Sequence, residues 1–584
     1  MIALNKILIN LIRLIIVTFL AGCANSPPLD LTERKSVYSK NHMVSAANPH
    51  ATKAGLDILR AGGSAVDAAI AVQMVLTLVE PQASGIGGGG FLLHFKPSAK
   101  YTSSLLSAYD GREIAPSGAT ETLFLREDGE PLSWNERKIG GKSVGVPGII
   151  RMLALAHQDH GRLPWKKLFD PAIRLAQAGF PVSPRLNKMI RRDKFLANFP
   201  TAANFYFLPG GTPLPVGHLL KNLELANTLS RLANEGPEAF YIGDIPRAIA
   251  RKVRETHHLP SQMKESDIKD YTAKRRSILC LPYRTWNICG MPPPTSGGIT
   301  TLQILKLLER FDLAQVAPGS AKAIHLISEA SRLAFADRNQ YLGDPDFVQI
   351  PVQGLLNEKY LRQRASEISP FQAMGKAKPG SPVSEKRLPS LSSDKGDQRP
   401  DSTSHISIVD QYGEAISMTT SIGTAFGSRI MVNGFMLNDQ LADFSPLPRD
   451  KSGTPKANRA GSKKRPRSSM APTFVLDKDG KLVMAVGSPG GSSIIGYVVK
   501  TLVAALDWNL PMQAAIDLPN FINKNGRTEL EKDTPIATFS ETLEYLGHKI
   551  YIRTKTSGLH GIRIGKGQLE GGADKRREGI VLGD

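Results

Sequence analysis

DSTSHISIVDQYGEAISMTTSIGTAFGSRIMVNGFMLNDQLADFS, residues 401–445, carries the strongest structural and chemical signals in the sequence. Residues 406–409 predict a strand, 410–413 predict a turn, and 415–418 predict a second strand. A hydroxyl residue just before such a strand suits one uncommon chemistry. If the chain is cut before Thr403, the freed α-amine lies beside its own hydroxyl and can act as the general base. The alternative is a Ser/Thr-rich entry to a strand that has no catalytic role.

Several motifs in a fixed order favour the catalytic interpretation. They are Thr403-Ser404-His405 with Ser407, Phe426-Gly427, Asn438-Asp439-Gln440, Asp443-Phe444-Ser445, Ser468-Ser469-Met470 and Gly487-Ser488-Pro489-Gly490-Gly491. Together they resemble the small subunit of the γ-glutamyltransferases, which are N-terminal-nucleophile hydrolases that mature by self-cleavage. The resemblance implies an α+β fold, namely a four-layer αββα sandwich formed by two chains from one precursor. It places the cleavage between Ser402 and Thr403.

Segments of the first 345 residues, and one near the C terminus, resemble the same family. They are the glycine-rich stretch 80–91, Asp110–Pro116, Ser143–Gly148, Met291–Gly298, His325–Pro345, and Gly571–Gly579 with Lys575 in place of the usual proline. Residues 85–90 also match G-x-G-x-x-G, but helix and proline precede them and a predicted strand, 91–95, follows. That context excludes a dinucleotide loop and favours tight backbone packing. Without the resemblance, helix 325–338 is structural and ends in a surface pair, Asp337-Arg338.

The resemblance also assigns catalytic roles. Thr403 is the nucleophile in self-cleavage and again toward a substrate amide. Ser421 stands where the family has a second active-site threonine, so the hydroxyl that positions the α-amine is kept on a smaller side chain. The backbone amides of Gly490 and Gly491 stabilise the tetrahedral oxygen, because glycine lets the backbone approach the substrate closely. Outside the family context these two glycines form a simple strand-to-helix turn.

A γ-glutamyl head carries a carboxylate and an ammonium on one carbon, and the resemblance supplies partners for both. Arg112, with Ser468 and Ser469, holds the carboxylate, since the planar guanidinium binds a carboxylate with two parallel hydrogen bonds. Gln440 and Asp443 hold the ammonium, because a zwitterion in a desolvated pocket needs an opposed charge.

Two features depart from the family pattern. Gly423 stands where well-studied transferases carry an asparagine that contacts the glutamyl α-substituents, so we expect weaker glutathione binding or a shifted specificity. The segment 445–468 has no aromatic gate and contains a single acidic residue, Asp450. It carries eight basic residues, namely Arg449, Lys451, Lys456, Arg459, Lys463, Lys464, Arg465 and Arg467. We therefore expect a mobile polycationic lid that attracts anionic substrates or phospholipid.

Composition limits the classes of function. The formal net charge is +20 over 584 residues, but no basic helix interleaved with aromatics and no nucleic-acid motif occurs, so we predict no nucleic-acid partner. Three cysteines exclude a disulfide scaffold and a cysteine-based zinc cluster, and we predict neither a metal nor a cofactor. Cys280 and Cys289 face each other if a turn is centred on residues 284–285, which leaves a disulfide and two buried thiols equally open.

The N-terminal residues predict where in the cell the protein is located. Residues 1–22 predict a lipoprotein signal peptide, because Lys6 and Arg13 accompany an apolar run that ends in Leu20-Ala21-Gly22 before Cys23. The resemblance to a lipobox implies lipidation of Cys23, with Ala24 favouring the outer membrane and its periplasmic face. An ordinary secretory signal with a chance cysteine is the alternative.

The remaining boundaries follow composition and pattern. We predict a tether over 23–43, a large-subunit part over 44–373, a flexible linker over 374–402 and a small-subunit part over 403–584. Helical periodicity is expected over 46–79, with a stop at Gly62-Gly63, and over much of 149–275. The large and small chains are expected to associate.

The predicted activity is transfer of a γ-glutamyl group from glutathione or a related amide to water or an amino acid, through a threonyl acyl-enzyme. One alternative is an acylase-like amidase that uses Thr403 on a different acyl group, and Gly423 favours it. Another is a non-catalytic basic surface lipoprotein that is never cleaved.

Overall fold

A computed structural model describes residues 35–97, 105–384, 389–394, 402–565 and 567–584. In chain order the strands are β1 Val37–Ser39, β2 Met43–Ala46, β3 Gly89–Lys96, β4 Leu105–Asp110, β5 Phe180–Pro181, β6 Leu219–Leu220, β7 Lys274–Arg276, β8 Leu279–Tyr283, β9 Trp286–Gly290, β10 Ser404–Val409, β11 Ala415–Ser421, β12 Met431–Val432, β13 Phe435–Met436, β14 Thr473–Leu476, β15 Leu482–Gly487, β16 Phe521–Asn523, β17 Thr528–Glu531, β18 Ile550–Arg553, β19 His560–Gly565, β20 Gln568–Ala573 and β21 Ile580–Gly583.

The α-helices follow the same order. They are α1 Pro49–Arg60, α2 Ala65–Val79, α3 Trp134–Arg137, α4 Ile149–His160, α5 Asp170–Ala178, α6 Pro184–Arg192, α7 Pro200–Tyr206, α8 Leu223–Glu235, α9 Asp244–Arg254, α10 Glu265–Lys269, α11 Gly297–Leu308, α12 Ala321–Tyr341, α13 Val352–Leu355, α14 Glu358–Ala365, α15 Ile494–Leu506, α16 Met512–Asp517 and α17 Ser540–Tyr545. Within the described ranges, no helix is long and apolar enough to cross a membrane.

Two seven-stranded sheets form the centre of the described structure. Their strand orders are β1-β20-β19-β15-β14-β9-β8 and β21-β2-β10-β11-β3-β4-β7. The sheets pack face to face where β10 and β11 meet β15 and β19. Because β10 lies between β2 and β11 in the middle of its sheet, the residue that enters β10 is held at the core of the molecule.

Helices cover the outer face of each sheet. On one side α1 and α2 pack against β2, β10 and β11, and on the other α11, α15 and α16 pack against the sheet that contains β9, β15 and β20. Every residue of α2 is buried, and the helix begins with a reciprocal capping box between Ser64 and Asp67. The predicted four-layer αββα arrangement and α+β class are confirmed.

The predicted hairpin at 406–418 is confirmed as β10 and β11, with the turn closed by the Gly413 amide donating to the Asp410 carbonyl. The glycine-rich stretch is a packing loop, as expected. A Cβ on Gly88 would lie 2.2 Å from the Ser421 carbonyl oxygen, and one on Gly87 would lie 2.2 Å from that of Met436. Side chains at these positions would push the loop away from β11.

The structure resolves the open question on the cysteines. Cys280 and Cys289 are paired across β8 and β9 and form a disulfide, with a Cα–Cα distance of 4.1 Å. Arg284 takes a φ of 55°, which supplies the left-handed residue that the tight turn requires.

Regular structure begins before Val44, the predicted start of the large-subunit part. Within the proposed tether, residues 37–39 form β1 and pair with residues 569–571 of β20. The signal peptide and Cys23 lie outside the described residues. In the proposed linker, the Ala377 amide donates to Asn525 Oδ1 at 2.8 Å and the Asp394 carboxylate accepts from Arg467 at 3.2 Å, so the described parts contact the folded core.

The predicted polycationic lid, 445–468, presents only part of its basic residues to solvent. Lys456, Lys464, Arg465 and Arg467 are buried. Arg465 lies 3.4 Å from the Asp110 carboxylate and 3.6 Å from that of Asp346, and burial lowers the pKa of Lys464 to about 7. Lys456, Arg465 and Arg467 pair with acids from distant segments, whereas Lys464 donates to the carbonyls of Ala457 and Arg459, and residue spacing along one segment cannot show such contacts.

Candidate active site

Thr403 lines a pocket at the point where β10 begins. Its Oγ1 is 3.0 Å from Ser421 Oγ, at the end of the neighbouring strand β11. Ser421 Oγ also accepts from the Gly423 amide at 2.9 Å. Among the described residues Thr403 Oγ1 contacts no titratable side chain, so any base for this hydroxyl has to come from elsewhere.

The backbone around Thr403 is strained and firmly held. Thr403 has a φ of 115°, a conformation that a β-branched residue avoids. Its carbonyl accepts from Arg577 Nη1 at 2.7 Å, and the Ser402 hydroxyl donates to the Gln82 carbonyl. The contacts on both sides of the 402–403 peptide bond therefore hold Thr403 in a backbone conformation from which it would otherwise relax.

Gly490 and Gly491 lie between β15 and α15. Gly491 lines the pocket with Thr403, and the two glycines have φ values of 136° and 54°. A Cβ on Gly490 would lie 2.6 Å from the Tyr497 ring. Within the described part of the chain neither amide donates a hydrogen bond, so the Gly491 amide is available to an oxygen in the pocket.

Arg112 is fully buried at another wall of the pocket, immediately after β4. Its Nη1 donates to Gln440 Oε1 at 2.7 Å, its Nη2 pairs with the Asp443 carboxylate, and its Nε donates to the Pro466 carbonyl at 3.0 Å. The structure thus brings Arg112, Gln440 and Asp443 together as predicted. Arg112 binds Gln440 and Asp443 directly, however, so the residues predicted for the carboxylate and for the ammonium form one cluster and not two separate groups.

Two further carboxyl groups lie deep beside this cluster. Burial raises the pKa of Glu113 to about 8, although Arg112 Nη1 lies 3.5 Å away, and Glu113 Oε1 has no hydrogen-bond partner. Burial also raises the pKa of Asp439 to about 6 despite Arg429 and Thr424. A neutral Glu113 at pH 7 leaves Asp443 as the acid that balances Arg112.

Ser468 and Ser469 line the pocket, as expected. Ser469 Oγ accepts from Arg338 Nη2 at 2.7 Å, and Arg338 Nε donates to Ser296 Oγ at 2.8 Å. The interpretation of Asp337-Arg338 as a surface pair is wrong, since both are buried. Arg338 positions a pocket serine, a role that helical periodicity misses because the helix is buried on almost every face.

Gly423 lines the pocket close to Ser421. Its φ is 102°, and a Cβ there would lie 1.6 Å from Asp439 Oδ1, which already accepts from the Thr424 amide at 2.9 Å. A side chain at position 423 would therefore fit only if Asp439 moved or were replaced. The local packing thus leaves no room for a polar side chain at position 423. The predicted effect on specificity stays a prediction.

One buried group outside the pocket has metal-ligand chemistry. Among the described residues, the side chains of His325, Glu329 and His548 offer ligand atoms within 4.8 Å of one another. His325 Nδ1 is 2.8 Å from His548 Nε2, and Arg332 donates to Glu329 at 2.7 Å. Burial, Arg332 and His325 lower the pKa of His548 to about 3. Because the guanidinium already neutralises Glu329, a hydrogen-bonded network accounts for this group.

The chain is similar to known proteins over nearly its whole length. A family model described as gamma-glutamyltranspeptidase matches residues 51–583. The glutathione hydrolase proenzyme of Bacillus subtilis (strain 168) is 36% identical over 574 residues, which cover 96% of this chain and 94% of that protein. The glutathione hydrolase proenzyme of Escherichia coli (strain K12) is 35% identical over 574 residues, which cover 95% and 94%.

A solved structure shares the whole fold. The crystal structure of cephalosporin acylase from Bacillus halodurans superposes with a TM-score of 0.81 at 27% identity, and the match covers 96% of this chain and 98% of that one. With the αββα sandwich, the pocket at Thr403 and the family match all in place, the chain belongs to the gamma-glutamyltranspeptidase family.

Proposed function

We propose that this chain is a precursor that cleaves itself between Ser402 and Thr403 and then transfers or hydrolyses γ-glutamyl groups, with Thr403 as nucleophile. The observation that carries the proposal is the position of Thr403. It combines a strained backbone, a hydroxyl 3.0 Å from Ser421 and a pocket shared with the Arg112–Asp443 pair.

In the cleavage step, Thr403 Oγ1 attacks the Ser402 carbonyl carbon and its hydroxyl proton passes to the departing Thr403 nitrogen. The acyl group moves from nitrogen to oxygen, and water then hydrolyses the ester. The products are a Ser402 carboxylate and a free Thr403 α-amine. That amine then serves as the base for its own hydroxyl, which explains how Thr403 can act without a titratable side chain in contact.

In the turnover step, Thr403 Oγ1 attacks the γ-carbonyl of the donor, and the amides of Gly490 and Gly491 face the oxygen on which charge develops. The leaving amine departs with the proton, and an acyl-enzyme remains. Water or an amino acid amine attacks that ester to release glutamate or a new γ-glutamyl compound.

The cluster at Arg112 selects the donor. A glutamyl head group is a zwitterion, and the cluster presents a guanidinium and the Asp443 carboxylate within hydrogen-bond distance of each other. In this proposal, the second N–H of Arg112 Nη2 reaches the α-carboxylate while Asp443 and Gln440 accept from the ammonium. A neutral acyl group offers no charge to either side chain, so it forgoes the charge-assisted hydrogen bonds that a zwitterion would make with Arg112 and Asp443.

An acylase-like amidase is the second candidate. Gly423 favours it, because the pocket lacks a polar side chain beside Ser421, and the whole-chain likeness to a cephalosporin acylase supports the same direction. The intact Arg112–Asp443 pair favours the γ-glutamyl donor. An envelope location through Cys23, glutathione as the natural donor and amino acid acceptors remain proposals from the sequence.

The test is the intact mass and N-terminal sequence of the purified protein, compared with Thr403→Ala. We expect two chains, the smaller beginning at Thr403, and hydrolysis of γ-glutamyl para-nitroanilide. Thr403→Ala is expected to remain one chain and to lose at least about 1,000-fold in kcat/KM, because the covalent route is removed. Thr403→Ser is the matched control and should still be cleaved. An uncut wild-type chain that folds would overturn the proposal.

A further inference from the structure

A second cavity adjoins the catalytic pocket and has a strong excess of positive charge. It lies between α12, the residues around Lys376 and the turn that joins β16 to β17. Five basic side chains line it, namely Lys376, Lys378, Lys524, Arg527 and Arg553, against two acidic ones, Asp394 and Glu529. Nothing in the catalytic proposal uses this cavity.

The two acids of the cavity are already neutralised by bases. Asp394 lies 3.2 Å from Arg467 and 3.7 Å from Lys456, neither of which lines the cavity. Glu529 forms a close ion pair with Lys555, which is buried and likewise not part of the lining, and it lies farther, 3.8 Å, from the lining bases Lys524 and Arg553. The carboxylates of the lining therefore cancel only part of its positive charge.

Several of the lining cations have no such partner. Within the described ranges no carboxylate lies within 4 Å of Lys376, Lys378 or Arg527, and Arg527 contacts only the Tyr551 ring, at 5.7 Å, among charged or aromatic groups. An excess of unpaired cations in a concave site attracts and holds an anion, because the walls exclude water and focus the field.

Lys524 links this cavity to the catalytic pocket. Its side chain is only 10% exposed, yet its contacts are loose, with Ser492 Oγ at 3.4 Å and Glu529 Oε1 at 3.8 Å. Ser492 lines the catalytic pocket and follows Gly491 directly. A second link runs from Arg467 in the pocket to Asp394 in the cavity. The two spaces share a wall made of these four side chains.

We propose that this cavity is a subsite for the leaving group of the donor and that Lys524 recognises a carboxylate on it. This inference rests on the proposed γ-glutamyl chemistry. When Arg112 holds the glutamyl head and Thr403 meets the γ-carbonyl, the leaving amine must extend away from Arg112, past Gly491 and Ser492. The favoured donors are then γ-glutamyl peptides with a free C-terminal carboxylate, over γ-glutamyl amides whose leaving group is neutral.

The experiment uses two donors of equal size that differ in one charge, glutathione and its C-terminal amide, with the mature two-chain enzyme. For the wild type we expect the KM of the amide to be roughly tenfold higher, as suits one desolvated charge-assisted hydrogen bond. In Lys524→Met the ratio of the two KM values should fall to about one. Lys524→Arg should keep the preference, since it restores the charge.

Lys478→Met is the matched control, because Lys478 is an exposed residue between β14 and β15, away from the cavity lining, and its ratio should equal that of the wild type. Arg527→Gln is a second test variant, in case Lys524→Met misfolds. It should partly lower the ratio of the two KM values. Equal KM values for the two donors in the wild type, or a ratio untouched in Lys524→Met and Arg527→Gln alike, would overturn the inference.

Plain γ-glutamyl para-nitroanilide separates this failure from that of the proposed function. If the wild type hydrolyses this substrate but has equal KM values for glutathione and its C-terminal amide, the γ-glutamyl chemistry stands and only the subsite is disproved. No hydrolysis of any γ-glutamyl donor would remove both.

Discussion

The catalytic pocket and the cavity beside it both present basic side chains to a ligand, but they balance charge in different ways. In the pocket, Arg112 is held by Gln440 and Asp443, so the site is close to neutral. In the cavity, the bases outnumber the acids and Lys524 has only loose contacts. A paired site favours a zwitterion, whose two charges match the pair, whereas an unpaired site favours a simple anion.

Changing the geometry of the paired site should produce the largest effect. Arg112→Lys keeps the charge but loses the planar fork that reaches Gln440, Asp443 and the donor together. We expect kcat/KM for γ-glutamyl para-nitroanilide to fall roughly 100-fold, the equivalent of about 3 kcal/mol for two charge-assisted hydrogen bonds.

Arg126→Lys is the control for that change. Arg126 forms a pair with Glu136 at 2.8 Å, but both side chains are about two-fifths exposed, so solvent screens the pair. Its kcat/KM should stay within twofold of the wild type. An equally active Arg112→Lys enzyme would show that the pocket recognises charge without the fork.

The pH dependence of stability should distinguish Glu113, beside the catalytic pocket, from Glu529, in the second cavity. Burial raises the pKa of Glu113 to about 8, so the folded state keeps a proton that the unfolded state releases above its ordinary pKa. The contribution of Glu113 to stability is complete below about pH 4.5 and declines as pH rises toward 8. Glu113→Gln should therefore flatten the fall of the unfolding midpoint between pH 5 and 8.

Glu529 provides the comparison of opposite sign. Burial alone would raise its pKa, but Lys524, Lys555 and Arg553 hold it below the ordinary value. Its contribution is present above the unfolded pKa and is lost as pH falls, so Glu529→Gln should leave the slope between pH 5 and 8 unchanged. Thermal unfolding across that range measures both variants, and identical slopes for wild type and Glu113→Gln would contradict the assignment.

Salt should give the smallest effect and act mainly on the unpaired site. Lys376, Lys378 and Arg527 are exposed, so ions screen them, whereas Arg112 is fully buried. Raising NaCl from about 50 to about 500 mM should increase the KM for glutathione roughly threefold more than the KM for its C-terminal amide. Steady-state kinetics at the two concentrations decides this, and equal increases for both donors would argue against an anion in the cavity.

The sequence was a good guide wherever one segment carried the whole signal. The hairpin at 406–418 alternates apolar and polar residues around a turn, and α2 follows a capping serine, so their local patterns determine the structure. The cluster of Arg112, Gln440 and Asp443 could be predicted only through the family resemblance, since 328 residues separate Arg112 from Gln440.

Features that depend on pairing between distant segments were missed. Arg465 and Arg467 look like part of an exposed basic run, but their partners are Asp110, Asp346 and Asp394. Arg338 looks like a surface residue until the serines at 296 and 469 are placed against it. The second cavity escaped notice for the same reason, because its bases come from two segments more than 140 residues apart.

The φ of 115° at Thr403 gives the proposed cleavage a direction in time. This torsion is defined by the bond to Ser402, so it ceases to exist when that bond is cut. About 1–3 kcal/mol of conformational strain is then released and is no longer available to the products. Rejoining the two ends would have to recreate that torsion, so in the proposed maturation the released strain would favour the cleaved state by a factor of roughly 5 to 150.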